Sequence, residues 1–367
     1  MTSKLKRQIL KHSFFSYLFV TLTLFLFAGI GAVNYIIDPY GYNNAFHLKI
    51  NAIKKTQNER NDKFKLLSKY PHAESFVFGS SRALRLNPDI VTSLTGNETL
   101  NTAFCGASAD EYYLYIKYLI QTKKVKNIII AVDLFAYADG YESDSTLPES
   151  LLSYFHLNNK YHISSYFTYD SLRDSVKTIK VNRNTKVSLK SAYSSHGQAI
   201  QYEYLDALKD KELIKRYTQR NVVDQPPYWN TRRDTLSKER LSQLIEIKKL
   251  CDQNGIHLYL FTSPLWIKQI TMKQNKFFLQ KKLLQYIVQN VQPVWDYNGI
   301  TAINTDPYAH QDQFHFSCVT GDSILTEIIS GKPIIKNYAG TYVTQQNIRE
   351  YLNQTDQKLQ KYLNTVH

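Results

Sequence analysis

Cysteine is scarce in this chain: Cys105, Cys251 and Cys318 are the only three among 367 residues. An odd, scattered set of this kind excludes a disulfide framework and a cysteine-based metal cluster, so free thiols are the expectation. Nothing else in the sequence asks for a metal or a cofactor, and none is expected. There is no internal repeat, and no segment is low enough in complexity to be a linker. Charge is missing altogether from Ser13 to Ile37, which a water-exposed surface segment would not tolerate.

That uncharged run is also the most apolar part of the chain. Phe14 to Val33 is mostly large and hydrophobic, and Lys4, Lys6, Arg7 and Lys11 precede it. About twenty such residues cross the hydrocarbon layer of a bilayer. The apolar stretch of a signal peptide is shorter, roughly 7 to 15 residues, so the segment reads as an uncleaved signal anchor. Ala28-Gly29-Ile30-Gly31-Ala32 also resembles a processing site, which leaves cleavage open at this point. The basic flank favours a cytoplasmic N-terminus, placing everything after Asp38 outside the cytoplasm, in a periplasm or at the cell surface. The divisions expected are a basic N-terminus (1–13), a transmembrane helix (14–37), a stalk or first helix (38–70) and a large domain (71–367).

Lys and Arg outnumber Asp and Glu by 45 to 31, a formal charge of +14. In a cytoplasmic protein such an excess would raise the question of nucleic acid; the expected topology excludes that partner. Anionic envelope polymers or lipid headgroups suit the charge, as does a plainly solvated lysine-rich surface.

Beyond residue 70 the hydrophobic pattern alternates between short buried-strand runs and helical spacing. Ser75–Phe78, Leu100–Phe104 and Val125–Val132 read as strands, with Ala109–Thr122 a helix between the last two. The rhythm returns with a helix over Lys238–Asn254, a strand over His257–Thr262, a helix from about Lys273 to Gln289, a short strand at Val294-Trp295 and a helix over Cys318–Ser330. The fold class expected is α/β, three layers with helices on both faces of a mostly parallel sheet, flavodoxin-like in outline. Between about 138 and 233 the pattern fails, and an irregular insertion or lid is expected. A polar helix with a thin apolar stripe is expected over Thr344–Leu363.

The chemistry gathers at two points. Gly79-Ser80-Ser81-Arg82 follows the first strand, and Asp312-Gln313-Phe314-His315 lies near the end of the large domain. A serine at a strand-to-helix turn sits at the carboxyl edge of the sheet, where open α/β sheets bind ligands. Its hydroxyl needs an imidazole as base and a carboxylate to orient that imidazole. A three-residue spacing lets Asp312 reach one ring nitrogen of His315 and leaves the other for Ser81. Taken separately, Gly-Ser-Ser is a common loop composition and an Asp/His pair often caps a loop. Arg82 and Arg85 can pair with an acidic substrate group or with Asp133, or stand as solvated helix charges. Thr262-Ser263-Pro264 ends a strand at the same edge, whereas Ser194-Ser195-His196-Gly197 reads as a plain loop.

The combination resembles the SGNH hydrolase superfamily, in particular its membrane-anchored acyltransferase-like branch, which includes alginate O-acetylation proteins and the D-alanyl-transfer protein of teichoic acids. The resemblance covers about residues 71–137 and 237–330. It implies Ser81 as nucleophile, His315 as base and Asp312 as its orienting group. It also implies an oxyanion hole from the backbone N–H groups of Ser81 and Gly106, the latter in Asn101-Thr102-Ala103-Phe104-Cys105-Gly106. The third block of that family normally supplies an asparagine to the hole, where this chain has Ala131-Val132-Asp133. Asp133 must therefore do something else, either structural or catalytic: hold the Ser81 turn, bind Arg82, or act as a protonated acid.

The resemblance implies an extracytoplasmic O-acyltransferase or esterase acting on a cell-envelope polysaccharide or other glycan through an acyl-serine. A multi-spanning membrane protein would supply acyl groups, because one span cannot carry them across. The alternative is a catalytically inactive protein of the same fold that assists envelope assembly by binding glycan or lipid.

Overall fold

A computed structural model describes residues 3–39, 45–46, 48–51, 59–141, 166–183, 193–225, 235–272 and 277–366. The chain divides into two compact units, Met1–Asn58 with Leu152–Lys190, and Glu59–Leu151 with Ser191–His367.

The larger unit is built on a six-stranded sheet. Its strands are β1 (Ser75–Phe78), β2 (Thr99–Asn101), β3 (Asn127–Val132), β4 (His257–Thr262), β5 (Val294–Asp296) and β6 (Thr341–Val343). Their order is β2-β1-β3-β4-β5-β6, parallel throughout except for the antiparallel edge strand β6. β1 and β3 are buried at every position, with Phe76, Val77, Phe78 and Ile128 to Val132 wholly shielded from solvent. That is why both read as continuous apolar runs rather than alternating ones.

Outside the insertion, the described helices of eight residues or more are α1 (Ser3–Ile37), in the smaller unit, and α2 (Glu59–Lys69), α3 (Pro88–Thr95), α4 (Ala109–Thr122), α5 (Lys238–Gln253), α6 (Phe277–Asn290), α7 (Cys318–Ser330) and α8 (Ile348–Val366). Local chemistry sets their ends. Asn87 caps α3 by accepting the amide of Asp89 at 3.1 Å, with Pro88 at the first helical position and Gly96 in the left-handed conformation after the last turn. α4 opens on a capping box of Ser108 and Glu111. Glu111 also receives Arg60 of α2 through Nε at 2.7 Å and Nη2 at 3.1 Å. α4 packs on α5 and α3 on α7.

Several expected boundaries shift. The second strand stops at Asn101, because the next residues leave the ladder while still bonding back to the first strand: Thr102 N donates to Val77 O and Phe104 N to Gly79 O. β6 was not expected, since three residues in which only Val343 is buried carry too little pattern. Within the stalk or first helix expected over 38–70, the helix described is α2; residues 52–58, and the start of the helix expected from about Lys273, fall outside the described residues.

The insertion at 138–233 is not irregular where it is described. Helices run over Tyr169–Arg183, Tyr202–Ala207 and Lys211–Thr218. The first buries Ser171, Asp174, Ser175 and Thr178, a polar face that a search for apolar periodicity passes over. It packs along the C-terminal part of α1 in the smaller unit.

In α1, Ser13–Ile37 is long and apolar enough to cross a membrane. From Ser13 to Gly29 every residue except Thr23 is exposed.

Candidate active site

The nucleophile turn begins where β1 ends. Gly79 has φ +150°, and a Cβ built there would lie 2.5 Å from the Cβ of Ala83 and 2.9 Å from that of Ala131. Only glycine lets the chain pass between those two methyl groups and turn. Ser80 then points into the protein and Ser81 to its partly exposed edge.

Ser80 Oγ donates to Asp133 Oδ2 at 2.5 Å and accepts the amide of Arg82 at 3.3 Å. Arg82 Nη1 donates to Asp133 Oδ1 at 2.7 Å, and its Nε donates to the carbonyl of Phe314 at 2.9 Å. Asp133 thus braces the turn at the end of β3, and Arg82 links that brace to the loop carrying His315. Of the roles open to Asp133, the structure shows the first two together. The Asp133 carboxylate is fully shielded and the Arg82 side chain only 10% exposed, so each charge depends on the other.

Ser81 Oγ lies 2.9 Å from His315 Nε2, and His315 Nδ1 lies 2.9 Å from both Asp312 carboxylate oxygens. A carboxylate can only accept, so the ring proton belongs on Nδ1 and the Nε2 lone pair faces the serine hydroxyl. Asp312 also accepts the amides of Phe314 at 2.8 Å and His315 at 3.0 Å. Burial pushes the Asp312 carboxyl upward, but His315 and these two amides outweigh it and hold the group below the ordinary carboxylate value. The neighbouring His310 is a different kind of histidine. Burial drives it down to about 4 despite the Ile303 carbonyl that its Nε2 meets at 2.8 Å, so it is a neutral packing residue.

Gly106 sits in the turn after β2 with φ +60° and its carbonyl bound by the Tyr141 hydroxyl at 3.0 Å. The bond from Phe104 N to Gly79 O, 3.3 Å, holds this turn beside the nucleophile turn. The adjoining Cys105 is no rival nucleophile: burial first, and Glu59 second, push its thiol up to about 11. Cys105, Cys251 and Cys318 are all free.

Arg85 is not a solvated helix charge. Its residue is 7% exposed, its Nε has no partner among the described residues, and burial opposes its charge while Asp312, among others, supports it. With the Gln201 amide turned so that its oxygen faces Arg85, that oxygen accepts from Nη1 at 2.6 Å and Nη2 at 3.2 Å. Gln201 and Tyr217 come from the described part of the insertion, and Tyr217 lies close enough to Asp312 and Arg85 to feel both charges. Nothing in the sequence points to them, because Arg85 lies 116 and 132 positions away.

On the side of β3 and β4, a small recess of about 30 Å³ is lined by Arg82, Asp133, Phe135, Ser263, Leu265 and Phe277, among others. Among the described residues the buried Ser263 Oγ has no partner. The expected plain loop Ser194–Gly197 is a tight turn, with His196 Nδ1 2.6 Å from Asp89.

Neither protein-family models nor curated proteins give a match to this chain.

Proposed function

We propose that the larger unit is a serine acyltransferase or esterase of SGNH type, held at a membrane by α1 with its N-terminus in the cytoplasm, and that it acts outside the cytoplasm on a cell-envelope glycan. The observation that carries this reading is the unbroken chain from Ser81 Oγ through His315 to Asp312, each step 2.9 Å. In the reaction, Ser81 Oγ attacks the acyl carbonyl and passes its proton to His315 Nε2. His315 returns that proton to the departing oxygen, leaving an acyl-serine. An acceptor hydroxyl then repeats the sequence in reverse, with His315 again as base. The amides of Ser81 and Gly106 are assigned to the tetrahedral oxygen. The recess beside Arg82 is assigned to the acyl group, with Ser263 as its polar contact.

The membrane anchor favours transfer over hydrolysis, because it keeps the site near a membrane-bound donor or a growing polymer. A multi-spanning acyl carrier is the partner this implies. Hydrolysis of a chromogenic acetyl ester tests the site: the wild-type chain is expected to turn it over and Ser81→Ala to lose the activity. Full activity in Ser81→Ala would refute the nucleophile.

One observation favours the second reading, a fold-retaining glycan or lipid binder. Asp133 stands where the resembling family has an oxyanion-hole asparagine, and it is committed to Ser80 and Arg82. A binder would retain glycan in Ser81→Ala and show no turnover in the wild type.

A further inference from the structure

A helix rises 1.5 Å per residue, so Phe14–Val33 spans about 30 Å, the thickness of a bilayer's hydrocarbon layer. The far edge of that layer then falls at about Asn34. At that level α1 stops being bare and meets the segment Tyr166–Arg183. Asn34 Nδ2 donates to the Tyr166 carbonyl at 2.6 Å, and its Oδ1 accepts the Ser175 hydroxyl at 2.8 Å. The Tyr35 and Tyr166 rings meet edge-on at 5.4 Å. A Cβ on Gly31 would lie 2.4 Å from the Phe167 ring.

The seam thus joins Gly31, Asn34 and Ser175 with the Tyr35, Tyr166 and Phe167 rings, small and polar residues allowing the close approach of the two helices. What the segment leaves outside mixes apolar side chains with Asp170, Arg173, Lys177, Lys180 and Arg183. Tyr169 is 76% exposed, Phe167 44% and Val176 43%. Tyr35 and Phe46 add two further exposed aromatic rings at the same end of α1, 6.2 Å apart. Lys180 and Arg183 are exposed, with no ion-pair partner among the described residues, whereas Arg173 and Lys177 pair with Asp170 and Asp174.

We propose that Tyr166–Arg183 is an interfacial helix that rests on the leaflet at the C-terminal end of α1. Its aromatic residues would lie at the headgroup boundary, and Lys180 and Arg183 would engage the phosphates of anionic lipids. Two features point to a lipid surface as the occupant. The depth is set by the length of α1, and aromatic rings with basic side chains at that depth are the composition of a membrane interface. The inference rests on α1 remaining in the membrane.

The test uses the full-length chain in proteoliposomes, with a benzophenone amino acid in place of Tyr169 and labelled phosphatidylglycerol or phosphatidylcholine as the probe lipid. Illumination is expected to give a lipid adduct, several-fold more with phosphatidylglycerol. Lys180→Glu with Arg183→Glu is expected to abolish that preference, since each basic residue near an anionic surface shifts lipid occupancy about five-fold. No adduct from a chain that stays in the membrane through carbonate extraction would overturn the proposal. An unchanged lipid preference in the double variant would overturn the assignment of Lys180 and Arg183. Release of the chain by carbonate would instead refute the anchor.

Discussion

The two units of this protein bury opposite things. In the larger unit Phe76, Phe78 and Ile129 are wholly shielded, and polar residues gather at the carboxyl edge of the sheet. In the smaller one Phe14, Tyr17 and Phe25 are 70%, 75% and 73% exposed, while Asn34, Asp174 and Ser175 are fully buried. The same chemistry dictates both patterns once the surroundings differ. Water drives apolar side chains inward, and a membrane around α1, as proposed above, would leave polar ones to find partners within the protein. The contrast also separates two meanings of a buried polar residue: in one unit it braces a reacting group, and in the other it joins two helices.

The comparison can be broken most forcefully at the site. Ser81→Ala or His315→Ala is expected to lower ester turnover by roughly 10⁴-fold to 10⁶-fold, with an unfolding midpoint close to that of the wild type. Asp312→Asn should cost about 10⁴-fold, because the ring loses the partner that fixes its tautomer. The same carboxylate makes a pH prediction. Its folded pKa lies below the ordinary value of 3.8, so the pairing contributes its full stability above that value. That contribution is lost as pH falls through the lower, folded pKa. Acid unfolding should therefore begin at higher pH in the wild type than in Asp312→Asn once their neutral-pH stabilities are subtracted, a difference that midpoint measurements against pH will show.

Bracing comes next in size. Asp133→Asn leaves Arg82 without its counter-charge and is expected to cost about 3 to 5 kcal/mol by denaturant unfolding. Gly79→Ala places a methyl group against Ala83 and Ala131 and should cost about 3 kcal/mol. The smallest effect belongs to the other unit. Asn34→Leu is expected to weaken the seam by about 1 kcal/mol, measured as faster proteolysis near Tyr166 with ester turnover unchanged.

What the sequence made legible follows the same division. β1 and β3 were readable because burial on both faces leaves uninterrupted apolar runs, and α4 and α7 because their caps and spacing agree. The Gly79-Ser80-Ser81 turn and the Asp312/His315 pair were readable because each is local in sequence. Arg85 was visible but its burial was not, since that depends on Gln201 and Tyr217, which arrive from a distant segment. The helix over Tyr169–Arg183 escaped for another reason: it packs through serine, threonine and aspartate, which sequence patterns assign to solvent. β6 escaped because three residues bonded to a single neighbour carry no period.

The account rests most on Ser81 being an activated nucleophile, and a fluorophosphonate probe tests that directly. Peptide mass spectrometry of the labelled full-length chain is expected to find the adduct on Ser81, absent from Ser81→Ala and strongly reduced in His315→Ala. A folded wild-type chain with Ser81 unlabelled, or one labelled equally well without His315, would contradict it.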